Sequence, residues 1–118
     1  MGVLRDAAAT LRFLSAHPVA SRRLPHALLR WARWQAGSRL LGGAAIMPFV
    51  GGAVLAVERG MTGATGNVYA GLHEFEDMAF LLHYLRPNER FVDVGANVGS
   101  YSVLAGAVCR ARGLAFEP

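Results

Sequence analysis

Two carboxylates bracket a glycine-rich turn near the end of this 118-residue chain. Asp93 stands two residues before Gly95, and Glu117 stands 22 residues after it. The turn between them reads Gly95-Ala96-Asn97-Val98-Gly99. A glycine at a strand end lets the chain reverse without a Cβ clash and lets backbone approach a ligand closely. Asn97 tolerates left-handed geometry. An acid about 20 residues beyond such glycines is suited to accepting hydrogen bonds from ribose hydroxyls. The chemistry on offer is therefore the cradling of a nucleotide-type cofactor.

The glycine spacing narrows which one. Dinucleotide folds use G-x-G-x-x-G, and here position 100 is Ser, so that spacing fails and a pyrophosphate is the poorer match. The elements that must position these groups are short. Phe91-Val92-Asp93-Val94 is a β-branched and aromatic run that predicts a strand. Ser100 to about Arg110 has helical spacing through Tyr101, Leu104, Ala105 and Val108, with Gly113 as its expected stop. Gly99 opens that helix, whose N-terminal amides would suit an anionic group. Leu114-Ala115-Phe116 is a second apolar run. Strand, helix and strand within about 30 residues predict a right-handed crossover and a parallel pair. Ligands bind outside the carboxyl ends of such strands, so Asp93 and Glu117 are expected to face one crevice.

The run VDVGANVGSYS, preceded by GLHEFEDMAFLLHYLRP and followed by FEP, resembles the FkbM-type methyltransferases. The resemblance is best over residues 60–118 and extends weakly back to Pro48. It implies a class I, Rossmann-like enzyme using S-adenosylmethionine, with O-methylation of a small-molecule or sugar acceptor as the reaction. It also implies that Asp93, Gly95, Ala96, Asn97 and Gly99 border the methionine end and ribose of the cofactor. Glu117 would grip the ribose diol, and Glu74 would border the same pocket. Asn88-Glu89 replaces the Gly-Asp turn of the family. The family's later strands, which hold adenine and build the acceptor site, have no counterpart in these 118 residues. No catalytic base is assigned.

The expected fold class is thus α/β: the start of a class I methyltransferase Rossmann-like parallel sheet, preceded by a helical segment and a short β-rich stretch. Residues 1–59 would form the basic helical segment and short strands. Residues 60–118 would form an incomplete cofactor-binding domain. A parallel sheet of two core strands leaves edges and faces uncovered, so an oligomer or a second chain completing it is expected. Two alternatives stand beside the enzyme reading: a non-catalytic truncated remnant, and a small protein anchored in a membrane through residues 40–57.

Upstream, residues 2–16 predict a helix with Leu4, Ala8, Leu11 and Leu14 or Ser15 on one side, ended by His17-Pro18. A second helix runs from Ser21 or Pro25 to Ala36, closed by Gly37, with Leu24, Leu28, Trp31, Trp34 and Gln35 inward. Residues 1–39 hold seven Arg against one Asp, whereas 40–118 hold five Arg against seven acids. A basic front segment with two tryptophans can be read as a nucleic-acid surface, but a solvated helix packing on a core is the plainer reading, and no nucleic-acid partner is expected.

Leu40–Val57 is an uncharged run of 18 residues, which by length just qualifies as a membrane span. Five Gly and Pro residues punctuate it and favour two short strands around a turn. Gly60–Gly71 reads as a loop, and 73–85 as a helix carrying Phe75, Met78, Ala79, Leu82 and Leu85 on one side. Tyr69 and Glu74 either reach the cofactor crevice or serve as loop anchor and helix cap. The four histidines have no metal-ligand spacing. Cys109 is expected buried in its helix, and a lone cysteine with no leader pattern fits a reducing, cytoplasmic setting.

Overall fold

A computed structural model describes residues 2–118, with side chains described from Asp6 onward; Leu4 lies outside the described side chains. The chain is mixed α/β. It runs α1 (Gly2–Ala16), α2 (Leu24–Leu40), β1 (Ala45–Pro48), β2 (Val54–Val57), α3 (Thr62–Ala70), α4 (Phe75–Tyr84), β3 (Arg90–Val94), α5 (Ser100–Val103) and β4 (Arg112–Phe116). β1 pairs antiparallel with β2, Ala45 opposite Val57. β3 pairs parallel with β4, Val92 opposite Leu114 and Val94 opposite Phe116.

α1 keeps its expected span, but its inward side differs. Leu14 is fully buried and Phe13 and Thr10 half-buried, whereas Ala8, Leu11 and Ser15 face out. The side follows His17, which is buried just past the helix end. Its Nδ1 accepts the N–H groups of Val19 and Ala20, both at 3.2 Å, and its Nε2 donates to the Leu72 carbonyl at 2.5 Å. One imidazole thus satisfies the turn after α1 and ties it to a segment 55 residues away.

α2 continues through Gly37 to Leu40. The left-handed glycines that stop it are Gly42 and Gly43, at φ 63° and 72°. Trp34 is buried and Trp31 packs on the same core. Past the end of α2, residues 41–57 form no α-helix: β1 and β2 are joined by a short 3-10 turn over Val50–Gly52, with Gly51 and Gly52 at positive φ. Among the described residues, no helix is long and apolar enough to cross a membrane.

The Gly-rich stretch is the largest departure from expectation. Residues 62–70 form α3, and Ala64 and Gly66 through Ala70 are buried. Gly66 is there for packing: a Cβ would overlap the His73 imidazole. Arg30 Nη2 caps the far end by donating to Tyr69 O at 2.7 Å. Tyr69 is therefore a buried helical residue, not a loop anchor. α3 shares one core with α1, α2 and the hairpin, through Leu14, Ala27, Trp34, Leu55, Val57 and Val68. A second core joins α4 to the segment after α5, through Met78, Leu81, Leu85, Leu104, Ala105 and Cys109.

α5 is one α-turn long. The chain then widens into a π-turn over Leu104–Val108, closed by Cys109 N donating to Leu104 O at 3.0 Å. The wider turn sets residues five apart on one side, so Leu104 and Cys109 both reach α4. Arg110, at φ 59°, turns the chain. Gly113 is not the helix stop: it lies in β4, where a Cβ would sit 3.2 Å from the Phe91 carbonyl oxygen. Asn88, at φ 68°, takes the left-handed position before β3, and its N–H donates to Arg110 O at 3.0 Å.

Candidate functional site

The turn after β3 is built by left-handed backbone at three of its five positions. Gly95 and Gly99 each have φ 75°, and Asn97 has φ 51°. Phe116 O, at the end of β4, accepts the N–H groups of Gly95 (2.8 Å) and Ala96 (3.1 Å). Gly99 N–H closes the loop on Ala96 O at 2.8 Å. A Cβ at Gly95 or Gly99 would meet nothing within 4 Å, so space does not require glycine at either position. The backbone conformation does.

A cavity of about 280 Å³ opens on this turn. It brings together Glu74, Asp93, Gly95, Ala96 and Asn97 of the sequence-derived set. Gly99 and Glu117 are outside its lining. Glu117 instead lies against the turn, its Oε2 accepting the Asn97 N–H at 2.5 Å. Asp93 Oδ2 accepts the Ser102 hydroxyl at 2.6 Å, which fixes the carboxylate over the first turn of α5. Glu74 occupies the position before α4 without capping it by its side chain.

Tyr101 and Asn67 also line the cavity. Burial first, and then a hydrogen bond to the Glu74 carboxylate, hold the Tyr101 phenol above its ordinary range; the charges of Asp77 and Asp93 push the same way. The phenol therefore stays neutral and donates. Asn67 is buried and joins three elements. Its Nδ2 donates to Gly63 O (3.1 Å) and Ser100 Oγ (2.9 Å), and its Oδ1 accepts the His73 N–H (2.8 Å). Nothing in the sequence marked Asn67, since its partner is 33 residues away. Tyr101 was visible only as an apolar helical position.

The electrostatics of the cavity are one-sided. Glu74 and Asp93 line it and, among the described residues, no Arg does. Such a site stabilises cations and repels phosphates. Among the described residues, no group of three or more His, Cys, Asp or Glu is placed to hold a metal ion. Comparison of the chain with protein-family models, with characterised proteins and with solved structures returns no match.

Proposed function

We propose that this chain carries the S-adenosylmethionine site of a class I methyltransferase of FkbM type, with β3, α5 and β4 as the start of its Rossmann-like sheet. The acidic cavity at the carboxyl end of β3 is the observation that carries the reading. S-adenosylmethionine has two cationic centres, the ammonium and the sulfonium, and Glu74 and Asp93 are the charges that would face them. The cofactor, when bound, supplies an activated methyl group for transfer to an acceptor oxygen. The protein's part is to bind and orient: Asp93 is held by Ser102, Glu74 lies beside Tyr101, and the turn is kept in shape by the N–H bonds of Gly95, Ala96, Asn97 and Gly99. Glu117 keeps the Asn97 N–H on Oε2, which leaves Oε1 to engage the ribose hydroxyls. The acceptor class is a small molecule or a sugar.

Titration calorimetry of S-adenosylmethionine and S-adenosylhomocysteine, with Asp93→Ala beside the parent chain, tests this. Binding lost in the variant is expected, with NAD giving no heat. A folded chain that binds neither compound, or that binds NAD better, overturns the reading.

A second reading has its own observation. Val92, Val94, Leu114 and Phe116 are 54–81% exposed on the β3–β4 pair. A parallel pair is ordinarily covered on both faces. The pair is then completed by another copy or another chain, and this chain alone binds cofactor without turnover.

A further inference from the structure

The cavity beside the glycine turn is not the larger one. About 620 Å³ lies between α1, α2 and α3, and both tryptophans of the chain, Trp31 and Trp34, line it with Tyr69. Trp31 is half-buried and offers a ring face to the cavity, while Trp34 and Tyr69, only 7% and 8% exposed, back it as fixed walls, so a ligand stacking on Trp31 orders little that is mobile.

One end of this cavity is polar. Arg39 Nη1 donates to Gln35 O at 2.6 Å and to Gln35 Oε1 at 2.5 Å. A guanidinium has five N–H donors, so this anchoring leaves others for a ligand. Tyr69 lines the cavity with Thr65, Gln35 and Arg39, and burial raises its pKa, which keeps the hydroxyl a neutral donor. Arg59 lines the cavity too, and Asp6 is its one acid, so the charge there is net positive. That is opposite in sign to the small cavity. His73 lines both, with its Nδ1 buried and unpartnered among the described residues.

We propose that the α1–α2–α3 cavity is a second binding site, for an aromatic hydroxy acid whose ring stacks on Trp31 against the wall formed by Trp34 and whose carboxylate meets Arg39 and Arg59. Fixed aromatic walls select the flat ring, the guanidinium groups select the anion, and the Tyr69–Gln35–Thr65 cluster receives the hydroxyl. Binding here does not depend on the cofactor reading. That the bound molecule is the methyl acceptor does rest on it, through the His73 wall common to the two cavities.

Tryptophan fluorescence reads this site through Trp31, which lines neither the small cavity nor the cavity of about 560 Å³ that shares Trp34, and Trp34→Phe isolates that signal. The 118-residue chain is titrated, without S-adenosylmethionine, with 4-hydroxybenzoate, its methyl ester and glucuronate. A saturable response to 4-hydroxybenzoate is expected, weakened about tenfold for the neutral ester and for Arg39→Gln, as for loss of one charge-assisted hydrogen bond. No saturable response from the folded parent chain overturns the site. Equal response to the ester overturns the role of the arginines, and tighter binding of glucuronate overturns the aromatic ligand. These comparisons use the parent chain, so they stand even if a variant does not fold. A failed S-adenosylmethionine titration leaves them untouched.

Discussion

Asn67 Nδ2 and Ser100 Oγ lie 2.9 Å apart in the interior, joining α3 to the first residue of α5 across 33 residues of chain. The contact fixes the glycine turn against the first core. Asn67 also holds the His73 backbone, so its amide organises the α3–α4 connection and the cavity wall together. Replacing Asn67 by Leu leaves the Ser100 hydroxyl and the His73 N–H without their partner in the interior. A loss of about 2–4 kcal/mol is expected, the sum of two modest desolvation penalties. Urea denaturation checks it. Asn67→Asp, which keeps an acceptor but not the donor, should fall between Leu and the parent.

The same region explains what the sequence could and could not show. β3, its turn and β4 were readable because each is local: an apolar run, glycines at the bends, and a second apolar run. The 40–57 hairpin was readable for the same reason. α3 was not, because glycine normally signals a break, and Gly66 owes its place to an imidazole seven positions on. The end of α2 was misplaced because Gly37 and Gly42 are alike as letters, while only Gly42 takes positive φ. The cavity's Gly95, Asn97 and Asp93 were legible. Its hydrogen-bond partners Ser102 and Asn67 were not, since neither type is diagnostic without the contact.

Gly66 and His73 should be energetically coupled. Gly66→Ala alone gains about 1 kcal/mol of helix propensity but forces the imidazole aside, where overpacking costs about 1–3 kcal/mol. A net loss is expected. In a His73→Ala background the clash is gone, so adding Gly66→Ala should stabilise. A double-mutant cycle by chemical denaturation reads this as a change of sign. Additive effects would show that the close packing of these two residues is not present in solution.

Gly95 and Asn97 should respond oppositely to loss of their identities. Gly95→Ala puts a Cβ on a residue at φ 75° and is expected to cost about 1–2 kcal/mol, through backbone strain alone. Asn97→Gly relaxes φ 51° and should be within a few tenths of a kcal/mol of neutral. Thermal melts of the two variants distinguish them. Cofactor affinity, read by calorimetry, should fall in Gly95→Ala by more than its stability change alone would produce.

Alkaline pH should destabilise the chain through Tyr101. Its folded pKa is raised from 10.0 by burial, by the Glu74 hydrogen bond and by neighbouring negative charge. The folded state therefore favours the protonated phenol. This stability is complete below pH 10 and is lost as pH rises toward the folded value. Cys109, whose pKa is raised from 9.0, adds a loss that begins lower. All 12 basic residues are Arg, so no Lys titration overlaps this limb. Stability measured by urea midpoint should fall from pH 9 upward, and Tyr101→Phe should lessen the fall above pH 10, Tyr69, whose pKa burial also raises, supplying the remainder. An unchanged slope in Tyr101→Phe would place the phenol in solvent.

The exposed sheet face leads to the last expectation. Val94 is 81% exposed and Val92 58%, opposite Phe116 at 54% and Leu114 at 64%. All five residues of β4 are exposed, and the pair has an open edge on each side. Four large apolar side chains in one patch beside unpaired strand edges favour association, by apolar burial and by strand pairing. Sedimentation velocity should therefore show concentration-dependent self-association. Val94→Glu should suppress it, because a charge at the centre of that patch must be desolvated to form the contact. Val94 faces away from the Asp93 side of the strand by the alternation of side chains. Cofactor binding in Val94→Glu should accordingly persist, which separates the sheet's association from the chemistry of its turn.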